Sequence, residues 1–329
     1  MIILVERVRL SIGTAIQIGI ESGGKVPNFT TAFFMTYRVG GCEANCAFCP
    51  QAQESTSASD RLSRLSWPEY SLSEVIEKWP PPGQFRRICI QTICYPEVVH
   101  DVVDIVCEIR KVSKLPISVA IHPISTNDMF KLKEVGVSNI GIALDASTPK
   151  IFEEIKGEKR GVDYRWETHI RGLDDALKIF GKGQVTTHLI VGLGETEKEA
   201  AQFIIKMYEM GINVGLFAFT NIKGTSLENQ SPPDLSSYRR IQVVRQLVSQ
   251  GLLSSDQILE TEDGQISIVI DEEILREALS SGAAFQVTGC KDCNRPFYNE
   301  RPRGPMYNYP RPLSEEELLR AIEDTNLVA

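Results

Sequence analysis

The sequence predicts an α/β protein, a (β/α)8 TIM-type barrel that is complete or nearly complete. An N-terminal extension occupies 1–29, the barrel 30–290, and an irregular C-terminal tail with a helix covers the barrel mouth over 291–329. Three observations lead there. Strand-like runs alternate with helical ones, which implies βαβ units and a parallel sheet. The 329 residues accommodate one barrel of about 250 residues. With 42% hydrophobic and 24% charged residues, the composition excludes collagen-like, coiled-coil and disordered chains.

In chain order, residues 1–29 read as a short strand or helix followed by a Gly-Gly turn, packed at one end of the barrel. Thr30–Arg38 is rich in aromatic and β-branched residues and runs into Gly40-Gly41, a first strand and its turn. Trp67-Pro68 opens a helical stretch to Trp79, with Pro68 in the first turn and Pro80-Pro81-Pro82 closing it. Further strands are expected at Arg87–Ile93, Ile117–Ile121, Ser138–Leu144, Gln184–Val191, Ile212–Phe219, Gln265–Ile270 and Ala284–Thr288. Helices fall at 97–112, 126–135, 164–180, 196–210, 234–250 and 271–281. The seventh unit is equally readable as a hairpin insertion over Leu252–Ile270. Residues 291–313 hold five prolines and three tyrosines without period, and Ser314 with Glu317 forms a capping box for a last helix.

Asp and Glu outnumber Lys and Arg by 43 to 35, a net charge of −8, which argues against a nucleic-acid-binding surface. The apolar stretch Leu10–Ile20 is interrupted by Ser11, Gly13, Thr14, Gln17 and Gly19. It falls short of the roughly 20 residues a bilayer crossing requires. No cleavage site follows it, so a cytoplasmic location and no membrane partner are expected.

Cysteine spacing carries the chemistry. Cys42, Cys46 and Cys49 form C-x3-C-x2-C directly after the first strand, where barrel loops build the active-site face. Three thiolates can hold three corners of a [4Fe–4S] cluster and leave one iron open to a small molecule. A structural zinc knuckle is the plainer reading, but zinc wants a fourth Cys or His, and none lies within 30 residues on either side. A second set consists of Cys89 and Cys94 near the second strand and the C-x-x-C of Cys290 and Cys293. Strand eight closes a barrel near strands one and two, so these four can meet. They then hold an auxiliary [4Fe–4S] cluster, a zinc ion, or nothing. Cys107 lies among Val102, Val103, Ile105 and Val106 and reads as core.

The first motif resembles the signature of the radical S-adenosylmethionine superfamily. The resemblance implies that the open iron binds S-adenosylmethionine, whose reductive cleavage yields a 5′-deoxyadenosyl radical that abstracts hydrogen from the substrate. It implies an adenine contact for Phe48, and Leu144-Asp145-Ala146-Ser147 resembles the biotin-synthase pattern in which the Asp binds the cofactor's ribose. His188-Leu-Ile-Val-Gly192-Leu-Gly194-Glu195 resembles the G-x-I-x-G-x-x-E region that cups the adenine, which implies cofactor roles for Gly192, Gly194 and Glu195. Thr220-Asn-Ile-Lys-Gly224-Thr-Ser-Leu resembles the Pro-x-x-Gly-Thr-Pro-Leu loop of the same enzymes.

The stretch Gly289–Pro310, with Cys46-Ala-Phe-Cys49-Pro-Gln-Ala-Gln-Glu54, is similar to an archaeal biotin-synthase-related family that includes two-protein lipoyl synthases. That similarity implies sulfur insertion into unactivated C–H bonds of a protein-bound octanoyl chain, with the auxiliary cluster as sulfur donor. Arg295 and Tyr298 are candidates, by position, for a non-cysteine ligand. Implied partners are an octanoylated lipoyl-carrier protein, a paralogous radical enzyme and a low-potential electron donor. Biotin synthesis or another radical sulfur transfer is the alternative. A non-catalytic iron–sulfur or zinc scaffold is the alternative of another class.

Overall fold

The run Thr31–Thr36 is buried along its whole length, as a strand covered on both faces must be, and it anchors the central sheet. The computed structural model describes residues 5–301 and 303–327. Residues 1–4, Pro302 and residues 328–329, parts of the predicted extension and tail, lie outside the described residues.

The chain begins with β1 (Arg7–Leu10) and α1 (Ile12–Gln17), whose N-cap Ser11 accepts from the Thr14 amide. β2 (Thr31–Thr36) follows, then the small hairpin β3 (Arg61–Leu62) and β4 (Leu65–Ser66), β5 (Glu69–Ser71) and α2 (Leu72–Glu77). From there strands and helices alternate: β6 (Arg87–Gln91), α3 (Val98–Val112), β7 (Ile117–Ala120), α4 (Thr126–Glu134), β8 (Val137–Gly141) and α5 (Pro149–Ile155). Then come α6 (Trp166–Phe180), β9 (Val185–Val191), α7 (Glu197–Met210), β10 (Asn213–Ala218) and α8 (Leu235–Ser249). β11 (Ile258–Glu260), β12 (Ile266–Ile268), α9 (Glu272–Leu279) and α10 (Glu315–Glu323) complete the described elements.

The sheet order is β10-β9-β8-β7-β6-β2-β1-β5. β2 and β6 through β10 are parallel, whereas β1 pairs antiparallel with both β2 and β5. The fold is therefore α/β with a mostly parallel sheet, and the expectation of eight barrel strands is corrected to six. Residues 265–270 enter β12, which pairs only with β11 across the Asp263-Gly264 turn, a strong local hairpin signal. Residues 284–288 begin in a short 3-10 helix, Ala283–Phe285, entered through Gly282 at φ 68°. Among the described residues no ladder joins β10 to β5, so the sheet is open on that side.

The C-terminal segment covers part of this gap. The Leu216 amide of β10 donates to Thr288 Oγ1 at 2.8 Å. The Thr30 and Thr31 hydroxyls, at the start of β2, donate to the Asp292 carbonyl at 2.6 and 3.0 Å. Further on, Thr220 Oγ1 donates to the Asn299 carbonyl at 3.1 Å, beyond the C-terminal end of β10. The segment thus runs up the open side from strand starts to strand ends. Helix α10, expected over the mouth, instead packs its buried Ala321 into a second core with Val243, Val244 and Leu247 of α8 and Leu279 of α9.

Three local readings also change. The helix expected from Trp67 begins only at Leu72, because Glu69–Ser71 finds a strand partner in β1, sixty residues earlier. Helix α5 was not anticipated, although Thr148 caps it and Pro149 opens it, an ordinary start signal. Cys107 is exposed on α3, whose buried stripe is Val98, Val102, Ile105, Val106 and Ile109. No helix among the described residues is long and apolar enough to cross a membrane.

Candidate functional site

The loop after β2 is fixed by its neighbours rather than by its own secondary structure. The Glu43 amide donates to the Cys94 carbonyl at 2.7 Å, the Ala47 amide to the Ile155 carbonyl at 2.7 Å, and the Leu227 amide to the Ala47 carbonyl at 3.2 Å. Asn45 and Arg160 exchange bonds: Nδ2 to the Arg160 carbonyl at 2.9 Å, and Nε to the Asn45 carbonyl at 3.0 Å. Three chain regions therefore hold Cys42, Cys46 and Cys49 at the strand ends, where all three line one cavity of about 530 Å³. Burial pushes the three thiols up, that of Cys46 to about 12. They are neutral in the metal-free chain near pH 7 and release their protons as a metal arrives.

Beside this loop lies a buried ion pair. Lys156 Nζ stands 2.6 Å from Asp145 Oδ2 and donates to the Ala143 carbonyl at 2.6 Å. For Lys156, burial is the largest influence and opposes the charge, but Asp145, by charge and hydrogen bond, turns the net shift upward. Asp145 sits at φ 62°, a conformation uncommon for a residue with a side chain, inside bonds to the His188 carbonyl and the Ile190 amide. Phe48 and Asp145 line the cavity. Lys156, Tyr164 and His122 line it too, and the sequence did not single them out as site residues. His122 Nδ1 is buried with no hydrogen-bond partner among the described residues, an open polar contact for a ligand.

His169 supports the pair from behind, with its ring 4.9 Å from Phe152 and 5.1 Å from Tyr164. Burial, reinforced by Lys156, pulls its pKa down to about 3. The unfolded chain binds this proton near pH 6.5 and the folded chain does not, so its contribution is complete above about 6.5 and lost toward 3. Urea unfolding across that window should show wild type losing about 1.4 kcal/mol per pH unit more than His169→Gln. Parallel curves for the two proteins would refute this.

The loop after β9 departs from expectation. Gly192, Gly194 and Glu195 do not line the cavity. Glu195 instead accepts from the amides of Gly192 at 2.6 Å and Leu193 at 3.0 Å, closing its own turn. Gly192 is required by the backbone: it has φ 104°, and a Cβ there would lie 2.8 Å from Pro233. Gly224 serves a close approach, since a Cβ would lie 2.5 Å from the Ser57 amide nitrogen.

At the other end of the cavity the second cysteine set is three, not four. Cys89 on β6 faces Cys290 and Cys293. Cys94 lies past the strand end, where its amide donates to Cys42 Sγ at 3.2 Å and its thiol meets Tyr164. Five residues along an exiting chain separate Cys89 and Cys94 between the two ends of the cavity. Ser118 Oγ donates to Cys290 Sγ at 3.3 Å and accepts from Arg87 Nη1 at 2.7 Å. Arg87 is 5% exposed and also bonds Asn139 Oδ1 at 2.9 Å and the Lys291 carbonyl at 2.7 Å. Arg295 lies 3.7 Å over the Phe217 ring and donates to the Thr288 carbonyl at 2.9 Å. Among the described residues neither arginine is ion-paired with a carboxylate, although the Glu300 charge acts on Arg295. Burial pushes the Cys293 thiol up to about 11 despite the opposing pull of Arg295 and Arg87. Asp292, Arg295 and Phe297 all adopt positive φ, at 66°, 27° and 58°, so the backbone here is strained to place these side chains. Tyr298 lines the cavity. A charged residue opening the apolar run Arg87–Gln91 was the available sequence signal for Arg87; Ser118 offered none.

Among the described residues no three Cys, His, Asp or Glu side chains converge tightly enough to hold a single metal ion. Each cysteine set is instead spread around a space, which suits a multi-iron cluster whose thiolates bind separate irons. At the mouth-proximal set, the three thiols, the partnerless His122 nitrogen and the buried Lys156–Asp145 pair fit a cluster with a polar, charged ligand beside it.

A family model described as Radical SAM superfamily matches residues 36–206. The biotin synthase of Granulibacter bethesdensis is 25% identical over 219 residues, 65% of this chain and 66% of that protein. The 7,8-didemethyl-8-hydroxy-5-deazariboflavin synthase of Methanothermobacter thermautotrophicus is 25% identical over 176 residues, covering 51% and 47%. The chain thus spans less than two thirds of the length of these relatives. Among solved structures, methylornithine synthase (PylB) superposes with a TM-score of 0.52 at 16% identity, covering 91% of this chain and 82% of that one. The FeFe-hydrogenase maturase HydG from Carboxydothermus hydrogenoformans gives 0.53 at 16%, covering 91% and 67%. Those two likenesses concern the fold alone.

Proposed function

The chain belongs to the Radical SAM superfamily, which brings a [4Fe–4S] cluster and S-adenosylmethionine, and from that premise we propose that it inserts sulfur into a protein-bound octanoyl chain as one partner of a two-protein lipoyl synthase. One observation carries the sulfur-insertion reading. At the inner end of the cavity three thiols meet two guanidinium groups: half-buried Arg295, on which the Glu300 charge acts, and buried Arg87, which has no ion-paired carboxylate among the described residues. Burying a cation without a counter-charge costs several kcal/mol, so the site is built around an anion. An auxiliary cluster held by Cys89, Cys290 and Cys293 would supply that negative charge, with the Ser118 hydroxyl beside the Cys290 thiol.

When bound, the two clusters and S-adenosylmethionine supply a hydrogen-abstracting radical at one end and sulfide at the other. The chain's own residues set the geometry between them. Phe48, Asp145, Lys156 and His122 hold and orient the cofactor; Met35, Ile121, Ile190 and Phe217 give the cavity apolar walls suited to a thin alkyl chain. The Lys156–Asp145 pair keeps its charge in a site that excludes water, where electrostatic contacts strengthen.

The reading is tested anaerobically with the reconstituted protein, S-adenosylmethionine, a low-potential reductant and an octanoylated carrier domain, with and without a paralogous partner. Mass spectrometry of the carrier is expected to show sulfur gained on the octanoyl chain. Cofactor cleavage with no sulfur on the carrier, and sulfur gained by dethiobiotin instead, would replace this reading with biotin synthesis.

A further inference from the structure

An acidic chain carries a positive rim at its cavity mouth. The hairpin β3–β4, the start of the chain and the tail converge there: Ser63 Oγ donates to the Tyr298 carbonyl at 2.9 Å, and Arg64 to the Glu300 carbonyl. Arg9 donates to the Ser59 carbonyl and lies 5.4 Å over the Tyr37 ring. Gln51 joins the same stretch by donating to the carbonyls of Ser59 and Arg61. Arg9, Arg61, Arg64 and Arg301 are brought to one edge, and among the described residues none is ion-paired with a carboxylate, although the Glu300 charge acts on Arg64. Burial first, and then the like charges of Arg301 and Arg61, lower the pKa of Arg64.

The carboxylates nearby are all engaged elsewhere. Glu54 pairs with Arg160 at 3.0 Å, and Asp60 accepts from Ser66 Oγ at 2.5 Å. Glu228 accepts from the Gly224 amide at 2.7 Å. Buried Glu300 turns inward to Asn308 at 3.0 Å. Asp60 and Glu228 keep their charge against these neutral donors, while burial raises the pKa of Glu300; the four arginines still outnumber them, a local excess of cations on a chain whose net charge is −8.

We infer that this arginine rim is the docking surface for an acidic face of the carrier protein that delivers the acyl chain, an inference that rests on the octanoyl-carrier reading above. Arginine is enriched at protein contacts, and complementary rim charges speed encounter and set register. An extended polyanion such as RNA is disfavoured, because the rest of the surface repels it and only one edge attracts it. The carrier meets the rim while its acyl-lysine enters the apolar cavity, which Arg64 and Leu62 border.

The test uses the full reconstituted protein and the double variant Arg61→Glu/Arg301→Glu, both positions being exposed, with unfolding curves confirming equal stability. Three probes are titrated: an octanoylated acidic carrier domain, an uncharged octanoyl-lysyl tripeptide and a single-stranded RNA. The variant is expected to bind the carrier about tenfold more weakly at low salt, with the gap closing near molar salt. Sulfur insertion into the tripeptide should be unchanged. Equal carrier binding by both proteins overturns the docking inference but leaves the octanoyl reading intact if carrier or tripeptide gains sulfur. RNA that binds wild type more tightly than the carrier, and is lost in the variant, overturns it in favour of a nucleic acid. If neither carrier nor tripeptide gains sulfur, the octanoyl reading itself fails, and the inference with it.

Discussion

Cys46→Ala is expected to reduce cleavage of S-adenosylmethionine to background while leaving the metal-free fold intact. On the proposed reading three cysteines from one short loop hold the mouth-proximal cluster, and two cannot retain it, so about four irons per chain should be lost. The fold does not depend on this thiol. The loop is held by backbone bonds to Cys94, Ile155 and Leu227 and by the Asn45–Arg160 exchange, all of which survive the substitution. Iron and sulfide counts, 5′-deoxyadenosine production and urea unfolding of the metal-free chain give three independent readings. Full iron and full cleavage in the variant would remove Cys46 from the cluster. Loss of cleavage with unfolding would point to a structural role instead.

The parts of this molecule that were legible beforehand are those specified locally. The six parallel strands and most of the helices between them follow from periodicity over short windows, and C-x3-C-x2-C placed a reactive loop at the end of the first strand. What was missed depends on partners distant in sequence. Glu69–Ser71 is a strand only because Arg7–Leu10 lies beside it. The segment after Gly282 looked like a closing strand because its β-branched residues suit one. Its backbone instead serves a strained ascent past Asp292, Arg295 and Phe297, where side-chain placement outweighs ladder formation. Cys94 was grouped with Cys89 on spacing alone, yet five residues that leave a strand end carry it to the opposite end of the cavity. Lys156 and Arg87 matter through burial and pairing, and a single charged letter shows neither.

That regrouping of cysteines leads to the second large effect. The Cys290→Ala/Cys293→Ala double variant should lose about four of about eight irons, keep cleavage of S-adenosylmethionine and stop sulfur insertion. The two ends of the cavity separate the functions: the Cys42 loop is held by residues after β6, α5 and β10, while Cys290 and Cys293 are held by Thr30, Thr31 and Arg87. Removing the inner thiols leaves buried Arg87 without a counter-charge, so the variant should also unfold at lower urea than wild type in the holo form. Cys89→Ala is expected to behave like the double variant, since its thiol faces the same pair. Cys94→Ala is the discriminating control. If the inner site uses three cysteines, this variant retains about eight irons; if it uses four, it falls to about four. Zinc released from the double variant, with iron unchanged at about four, would make the inner site a structural staple. The chain would then be a one-cluster radical enzyme with no sulfide of its own to give.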